Sequence, residues 1–416
     1  QRPLAPTRPM DFDLTNLPPG FIEDPHPHYA ALRAAAPVHK LPTGGLFLSR
    51  HADLLRVYKD RNVFSSDKKI EFRPKFGDSL LYQHHTTSLV FNDAPLHTRV
   101  RRAIAGALSP RAIAGMDSVV QALVDGLIKN LEDRHGAGAM VDAVADFAQN
   151  IPIEVIGNLL AIPHHERGPL RDWSLAILGA LEPEISTHQF NLGETAVREF
   201  LAYLDALVKQ RRAEGIDKAA DIMARLIRET GEAGEDANLL PHELLQNCIF
   251  ILNAGHETTT NLICSGIWLL SQRPGIVERL NAEPELWPAA VEEILRMESP
   301  NQLGNRRALS TFEMGGRTWP EGTLITLGMG AANRDPEVFD EPDNFRLDRS
   351  DNPHLAFAGG VHVCAGNTIA RIEGQIALAG LFGRWPSLKV GEGMRRSPRV
   401  RFRGFESLPL VLSTPG

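Results

Sequence analysis

Of the three cysteines in the chain, Cys248, Cys264 and Cys364, the last stands in the setting with the most chemical promise. It lies in FAGGVHVCAG, residues 357–366, with glycines at 359, 360 and 366 and His362 two places before it. A zinc site would demand two or three further Cys or His ligands at short spacing, and only His362 is near. A nucleophilic cysteine, which needs a base and an oxyanion hole, stays open, as does an inert packed thiol. The surroundings weigh against inertness. Three glycines leave backbone that can lie close to a planar group. The following NTIARIEGQIALAGLF has the spacing of an amphipathic helix, whose N-terminal dipole favours a nearby thiolate. A thiolate suits a soft metal, and iron in a flat macrocycle can take a single protein ligand.

A second cluster lies in residues 241–271, PHELLQNCIFILNAGHETTTNLICSGIWLLS. The pattern predicts one helix of roughly 45 Å, apolar on nearly all sides and therefore running through the core. Its centre breaks that pattern with Asn253, Gly255, His256, Glu257, Thr258, Thr259, Thr260 and Asn261. Gly255 costs about 1 kcal/mol relative to Ala and lets a small molecule approach the backbone. Threonine hydroxyls can bond to preceding carbonyls and bend a helix. Glu257 beside Thr258 is a natural proton-delivery pair. The alternative is that these groups satisfy one another or bind water. HETTT begins like a zinc-protease signature, but Thr260 stands where the second His is required, and GMGAANR lacks the third glycine of a dinucleotide loop.

The elements that position these residues are mostly helical. The chain has 416 residues, 43% hydrophobic and 23% charged, enough to bury a large core. Apolar residues recur every three or four positions in 109–131, 141–160, 193–213, 241–271 and 286–298, with breaks at Pro152, Pro163, Gly215, Gly234 and Pro274. Short alternating runs, GLFLS near the start and FEMGGRTWPEGTLITLGMG and RVRFRGFESLPLVL near the end, predict strands. Proline-rich residues 1–20 predict an extended arm, and 21–416 read as a single catalytic domain. A net charge of −7 with scattered Lys and Arg argues against nucleic acid as a partner. The odd cysteine count suggests a reducing, cytoplasmic compartment, and the N-terminal stretch reads as neither signal peptide nor membrane anchor. The chain begins at Gln1, so its natural start is expected to have been processed, cut or left out.

Phe357, Gly360, His362, Cys364 and Gly366 resemble the haem-binding signature of the cytochrome P450 monooxygenases, with Ala358 where that signature usually has glycine. AGHETT (254–259) resembles the family's oxygen-activating helix motif. EILR (293–296) is similar to its Glu-x-x-Arg motif, with Arg349 of FRLDR as third member. HTRVR (97–101) and RRALSTFEMGG (306–316) resemble the two segments that hold the haem propionates. These five motifs stand in the family's order along the chain, and the resemblance spans roughly residues 20–415.

This resemblance implies a mainly α cytochrome P450 fold, a large helical domain with smaller β-rich elements. It implies haem b (iron protoporphyrin IX) ligated by Cys364 and contacted by His97, Arg101, Ala254, Gly255, Arg307, Phe357, His362 and Gly366. Glu257 and Thr258 become the catalytic acid and alcohol. The implied reaction inserts one oxygen atom from O2 into a small apolar or aromatic substrate, by hydroxylation or oxidative dealkylation. Electrons would come from NAD(P)H through a ferredoxin and reductase or a fused reductase domain, since the chain has no flavin or iron–sulfur motif. The competing readings are a haem enzyme that uses peroxide or isomerises its substrate, which would more comfortably lack the acid and alcohol pair, and a haem-binding sensor or carrier, which needs no proton relay. The closing PLVLSTPG, with LITLGMGAANRDP and RFRGFESLPL, is similar to the haem domains of reductase-fused enzymes, which would make this chain an excised catalytic half.

His97 and Arg101, four apart, share a helical face. Glu293 falls on the buried face with Ala290 and Met297, so a buried pair with Arg296 needs further partners such as Arg349. The pocket expected by resemblance draws on Leu80, Leu81, Val90, Phe91, Ile249, Ala254, Leu303 and Phe405, with Lys68, Lys69, Arg73 and Lys75 available to a carboxylate.

Overall fold

The computed structural model describes residues 11–136, 140–216, 221–231 and 239–412. Most of the expected extended arm, residues 1–10, lies outside them. The chain forms two compact units, one made of residues up to Ser65, Val120–Gln149 and Thr258 onward, the other of Ser66–Val119 and Asn150–Glu257.

The first unit contains the sheets. Its largest orders the strands Val38–Lys40, Leu46–Leu48, Leu324–Gly328, Leu303–Ala308 and Phe64–Ser65. Leu46–Leu48 runs parallel to Leu324–Gly328, and the other neighbours are antiparallel. Leu46, Leu48, Ile325 and Leu327 are buried, and with Leu54, Val57 and Tyr58 of the helix His51–Lys59 they form one core cluster. Phe12 is buried against Phe21, Tyr29 and Phe47, so the chain is already pinned there. The helices Trp287–Met297 and Asn367–Arg384 pack on the C-terminal part of the helix Pro241–Ser271. Gly266 leaves room there for Leu378 and Ile294, and Gly374 for Leu262 and Val291.

The second unit is helical. Leu80–Thr87 is fixed twice. Leu81 N–H donates to Glu194 Oε1 at 2.7 Å, and Gly193 makes room for the Leu81 side chain. His84 Nδ1 lies 2.8 Å from Gln246 Oε1, and Leu89 N–H donates to Asn247 Oδ1 at 3.0 Å, which ties this segment to the long helix. The start of that helix is capped by Glu243, which accepts from Leu240 N–H at 2.9 Å and from both terminal nitrogens of Arg99 at 2.8 Å. Arg99 belongs to the helix Leu96–Ala107, so the same contact sets the helix that carries His97 and Arg101.

The long helix keeps its predicted bounds, and the predicted 193–213 and 286–298 lie on Thr187–Glu214 and Trp287–Met297. Helices Lys69–Phe76 and Leu80–Thr87 lie outside every predicted helical stretch, while Leu170–Gly179 falls between the predicted 141–160 and 193–213. Lys69–Phe76 contains Pro74 and buries only Phe76, so neither propensity nor periodicity announces it.

Candidate active site

Cys364 sits at the end of a loop that leads into the helix Asn367–Arg384. Its N–H donates to the Phe357 carbonyl at 2.9 Å, which closes the loop on itself. Cys248 and Cys264 are fully buried, and burial pushes the Cys248 thiol up to about 12 and Cys264 further. Cys364 alone is partly accessible, so it alone is placed to act as a thiolate ligand. Among the described residues no group of three or more His, Cys, Asp or Glu could hold a metal ion. A donor set of one accessible thiol fits a metal already held in a macrocycle.

Two of the loop's glycines have a use the sequence did not show. Gly360 has φ 65°, and a Cβ there would lie 2.1 Å from the Tyr58 carbonyl oxygen. A Cβ at Gly359 would meet the Tyr58 side chain at 3.3 Å. Both let the loop seat on the end of the helix His51–Lys59, while Gly366 has nothing within 4 Å of its Cβ position. Ala358, where the signature usually has glycine, adopts φ 59°. That left-handed conformation costs a residue with a Cβ about 1–2 kcal/mol, and its methyl, packed against the cluster around Tyr58, offsets part of the cost. Ala358→Gly is therefore expected to raise stability by about 1 kcal/mol, read as a higher denaturant midpoint. A lower midpoint would mean that the methyl's packing outweighs the strain.

Glu293 and Arg296 are both 0% exposed and form the predicted buried pair. Arg296 donates through Nε and Nη2 at 2.8 and 2.7 Å, and Arg349 Nε reaches the two carboxylate oxygens at 3.0 and 3.1 Å. Arg346 N–H at 3.0 Å and Asn352 Nδ2 at 3.1 Å complete the set. The other donors of Arg296 go to the carbonyls of Asn333, Pro342 and Asn344. Burial pushes the Glu293 carboxyl up, but the hydrogen bonds from Arg296 and its neighbours outweigh it and hold the carboxyl below its ordinary range.

From Gln246 to Leu270 the long helix is buried except at Phe250, Ala254, Gly255, Thr258 and Trp268. The first four, at i, i+4, i+5 and i+8, form one accessible stripe across the predicted notch. Thr258 lies on it, whereas Glu257, one position earlier, is 6% exposed. His256 is buried, and burial lowers it to about 3, so it is neutral. A Cβ at Gly255 would lie 2.7 Å from Ile156 Cδ1. Packing against the helix Asn150–Leu159 thus already requires that glycine, a constraint that its reading as an approach for a small molecule left out.

His97 is buried and Arg101 half-buried on the helix Leu96–Ala107. Arg307 is half-buried on the strand Leu303–Ala308, where Gly322 leaves space for its guanidinium. His362 is half-buried at the end of a short turn, between the exposed Val361 and Val363. The site residues are thus divided. His97, Arg101, Ala254, Gly255 and Glu257 belong to one unit, and Thr258, Arg307, Phe357, His362, Cys364 and Gly366 to the other.

Of the expected pocket residues, Leu81, Phe91, Ile249, Leu303 and Phe405 are buried in packing, while Leu80, Val90 and Ala254 are accessible. The four cations offered to a carboxylate all have partners. Lys68 is buried beside Glu71 at 3.6 Å, and Lys69 meets Asp67 at 2.6 Å and Asn92 at 3.0 Å. Arg73 pairs with Asp78, and Lys75 donates to the Glu182 carbonyl at 2.5 Å.

The family model for cytochrome P450 matches residues 181–393. Over 395 residues the chain is 31% identical to the biotin biosynthesis cytochrome P450 of Bacillus subtilis (strain 168), covering 94% of this chain and 97% of that one. The chain belongs to the cytochrome P450 family. It is also 32% identical over 412 residues to the 6-deoxyerythronolide B hydroxylase of Saccharopolyspora erythraea, with 94% and 97% covered. Among solved structures it is similar to P450BioI in complex with an acyl carrier protein ligated to hexadec-9Z-enoic acid. That match has a TM-score of 0.87 and 30% identity, covering 94% of this chain and 100% of that one. It is similar to CalO2 with a TM-score of 0.89 and 27% identity, covering 98% and 100%. The mainly α cytochrome P450 fold is thereby established, and the protein is a cytochrome P450 monooxygenase, an oxidoreductase whose family cofactor is haem. Among the described residues no helix is long and apolar enough to cross a membrane.

Proposed function

We propose that this cytochrome P450 inserts one oxygen atom from O2 into a small, largely apolar molecule, by hydroxylation or oxidative dealkylation. The observation that supports this most is the accessible stripe of Phe250, Ala254, Gly255 and Thr258 on an otherwise buried helix, which offers an apolar surface with one hydroxyl. Cys364 ligates the iron of haem b, and Phe357 and Gly366 flank it in the loop. His97, Arg101, Arg307 and His362 supply positive or hydrogen-bonding partners for the two propionates. Ala254 and Gly255 present small surfaces to the haem. Thiolate-ligated haem, when bound, supplies the chemistry of O–O cleavage. Thr258 holds a water at its hydroxyl, and Glu257 passes protons to it.

By their names, relatives and neighbours act on or bind an acyl carrier protein carrying hexadec-9Z-enoic acid, 6-deoxyerythronolide B and testosterone. An apolar or aromatic substrate without a carboxylate fits this chain for its own reason: Lys68, Lys69, Arg73 and Lys75 each already have a partner. Electrons come from NAD(P)H through a ferredoxin and reductase, separate or fused. The cytoplasm is the compartment, in keeping with an odd count of three cysteines spread along the sequence.

The test is turnover under 18O2 with a surrogate ferredoxin and reductase against a panel of fatty acids, macrolactones and steroids. One labelled oxygen per product is expected. Product formed with hydrogen peroxide and never with reduced nicotinamide would overturn the reading in favour of a peroxide-driven enzyme.

A further inference from the structure

One carboxylate beside the Glu293 network has no part in it. Glu292 follows Val291 on the helix Trp287–Met297 and points to a different set of partners. Arg371, in the first turns of the helix Asn367–Arg384, grips it with two bonds, Nε to Oε1 at 2.5 Å and Nη2 to Oε2 at 3.0 Å. His354 Nε2 meets Oε2 at 2.9 Å. The Ala356 N–H donates to His354 Nδ1 at 3.3 Å, so Nδ1 is the acceptor and Nε2–H is the donor to Glu292. The third donor of Arg371, Nη1, goes to Asn367 Oδ1 at 2.7 Å, and Asn367 Nδ2 donates to the Cys364 carbonyl at 2.6 Å. The guanidinium also lies 4.6 Å over the Phe357 ring.

These contacts make one connected path. From Glu292, one arm runs through His354 to Ala356, where the loop begins. The other runs through Arg371 and Asn367 to the carbonyl of Cys364, where it ends. Between them the Phe357 carbonyl accepts from Cys364 N–H, and the Phe357 ring sits under Arg371. Burial pushes the Glu292 carboxyl up, yet the bonds from His354 and Arg371 hold it at about 2, so the carboxylate is charged wherever the protein is folded near neutrality.

We propose that Glu292 is a positioning residue for the Cys364 loop, clasping both of its ends through His354 and Arg371 and so fixing the backbone and the Phe357 ring beside the sulfur. The part concerning the sulfur rests on Cys364 being the haem ligand. The mechanism is charge-assisted hydrogen bonding to an otherwise irregular loop, in which each bond removes a way for the segment to open. It also balances charge, since Arg371 over Phe357 would stand uncompensated without Glu292.

The test uses the haem-loaded protein, with hydrogen exchange followed over peptides spanning 353–367 and the haem reduction potential measured beside it. In Glu292→Gln the amides of Ala356 and Cys364 are expected to exchange about tenfold faster, and the potential to move to a more positive value, because Arg371 loses its counter-charge. Asn367→Ala, a half-buried link that tests the clasp even if Glu292→Gln folds poorly, is expected to speed exchange at Cys364 while Ala356 stays protected. Glu298→Gln serves as the control, since Glu298 is a buried carboxylate with its own partners His26, Arg334 and Arg403. It is expected to lower the melting temperature without altering the loop's exchange or the potential. The proposal is overturned if Glu292→Gln lowers melting alone, or if Glu298→Gln changes loop exchange and potential equally. A wild type without a thiolate-type spectrum overturns the ligation reading and with it the potential arm, while the exchange result judges the clasp separately.

Discussion

Glu293→Gln is expected to lower stability by about 3–5 kcal/mol, the cost of breaking a buried ion pair on one side. The wild-type carboxylate accepts from Arg296, Arg349, the Arg346 amide and Asn352, and is 0% exposed. Glutamine keeps one acceptor oxygen but turns an NH2 toward guanidinium donors, and it leaves Arg296 and Arg349 without their counter-charge. Against a total stability of about 5–15 kcal/mol, that is about a fifth or more. Denaturant unfolding measures it, with poor haem retention as the accompanying sign. The exposed pair Arg279–Glu283, both side chains 47% exposed, makes the contrast: removing Glu283 should change stability by less than about 1 kcal/mol. A similar small loss from Glu293→Gln would contradict the assignment. Because the Glu293 carboxyl is held below its ordinary range, its contribution is complete above that range and is lost as pH falls through the lowered value.

Thr258→Ala carries the second large effect, on chemistry rather than folding. Thr258 is half-buried on the accessible stripe, so loss of its hydroxyl leaves the packing of the helix nearly intact. The variant is expected to keep oxidising reduced nicotinamide with a suitable reductase, but with product per nicotinamide falling roughly tenfold or more and peroxide rising in step. Thr258→Ser, which keeps the hydroxyl, should retain most of the coupling. Unchanged coupling in the alanine variant would remove Thr258 from proton delivery.

The long helix and the need of the buried Glu293–Arg296 pair for a further partner were legible in the sequence for physical reasons, and the family resemblance pointed to Arg349 as that partner. A helix that is apolar all round can only cross a core, and its polar centre then has to be explained. Charges on the buried face of Trp287–Met297 cannot stand without partners. What stayed hidden depends on residues far apart in the chain. Gly359 and Gly360 looked like clearance for a flat group, yet Tyr58, some 300 positions earlier, demands them as well. Gly255 is required by Ile156, which no periodicity around 255 could indicate. Glu292, His354 and Arg371 are an ordinary acid, histidine and arginine until the fold brings them within hydrogen-bonding distance. Several apolar residues assigned to the pocket are core, because an apolar side chain reads the same in either role.

The measurement that bears most directly on the central claim is the absorption spectrum of the reduced protein under carbon monoxide, in the wild type and in Cys364→His. Thiolate ligation by Cys364 predicts a strongly red-shifted Soret band in the wild type that is lost in the variant. A globin-like band in the wild type, or a red-shifted band that survives in Cys364→His, would contradict it.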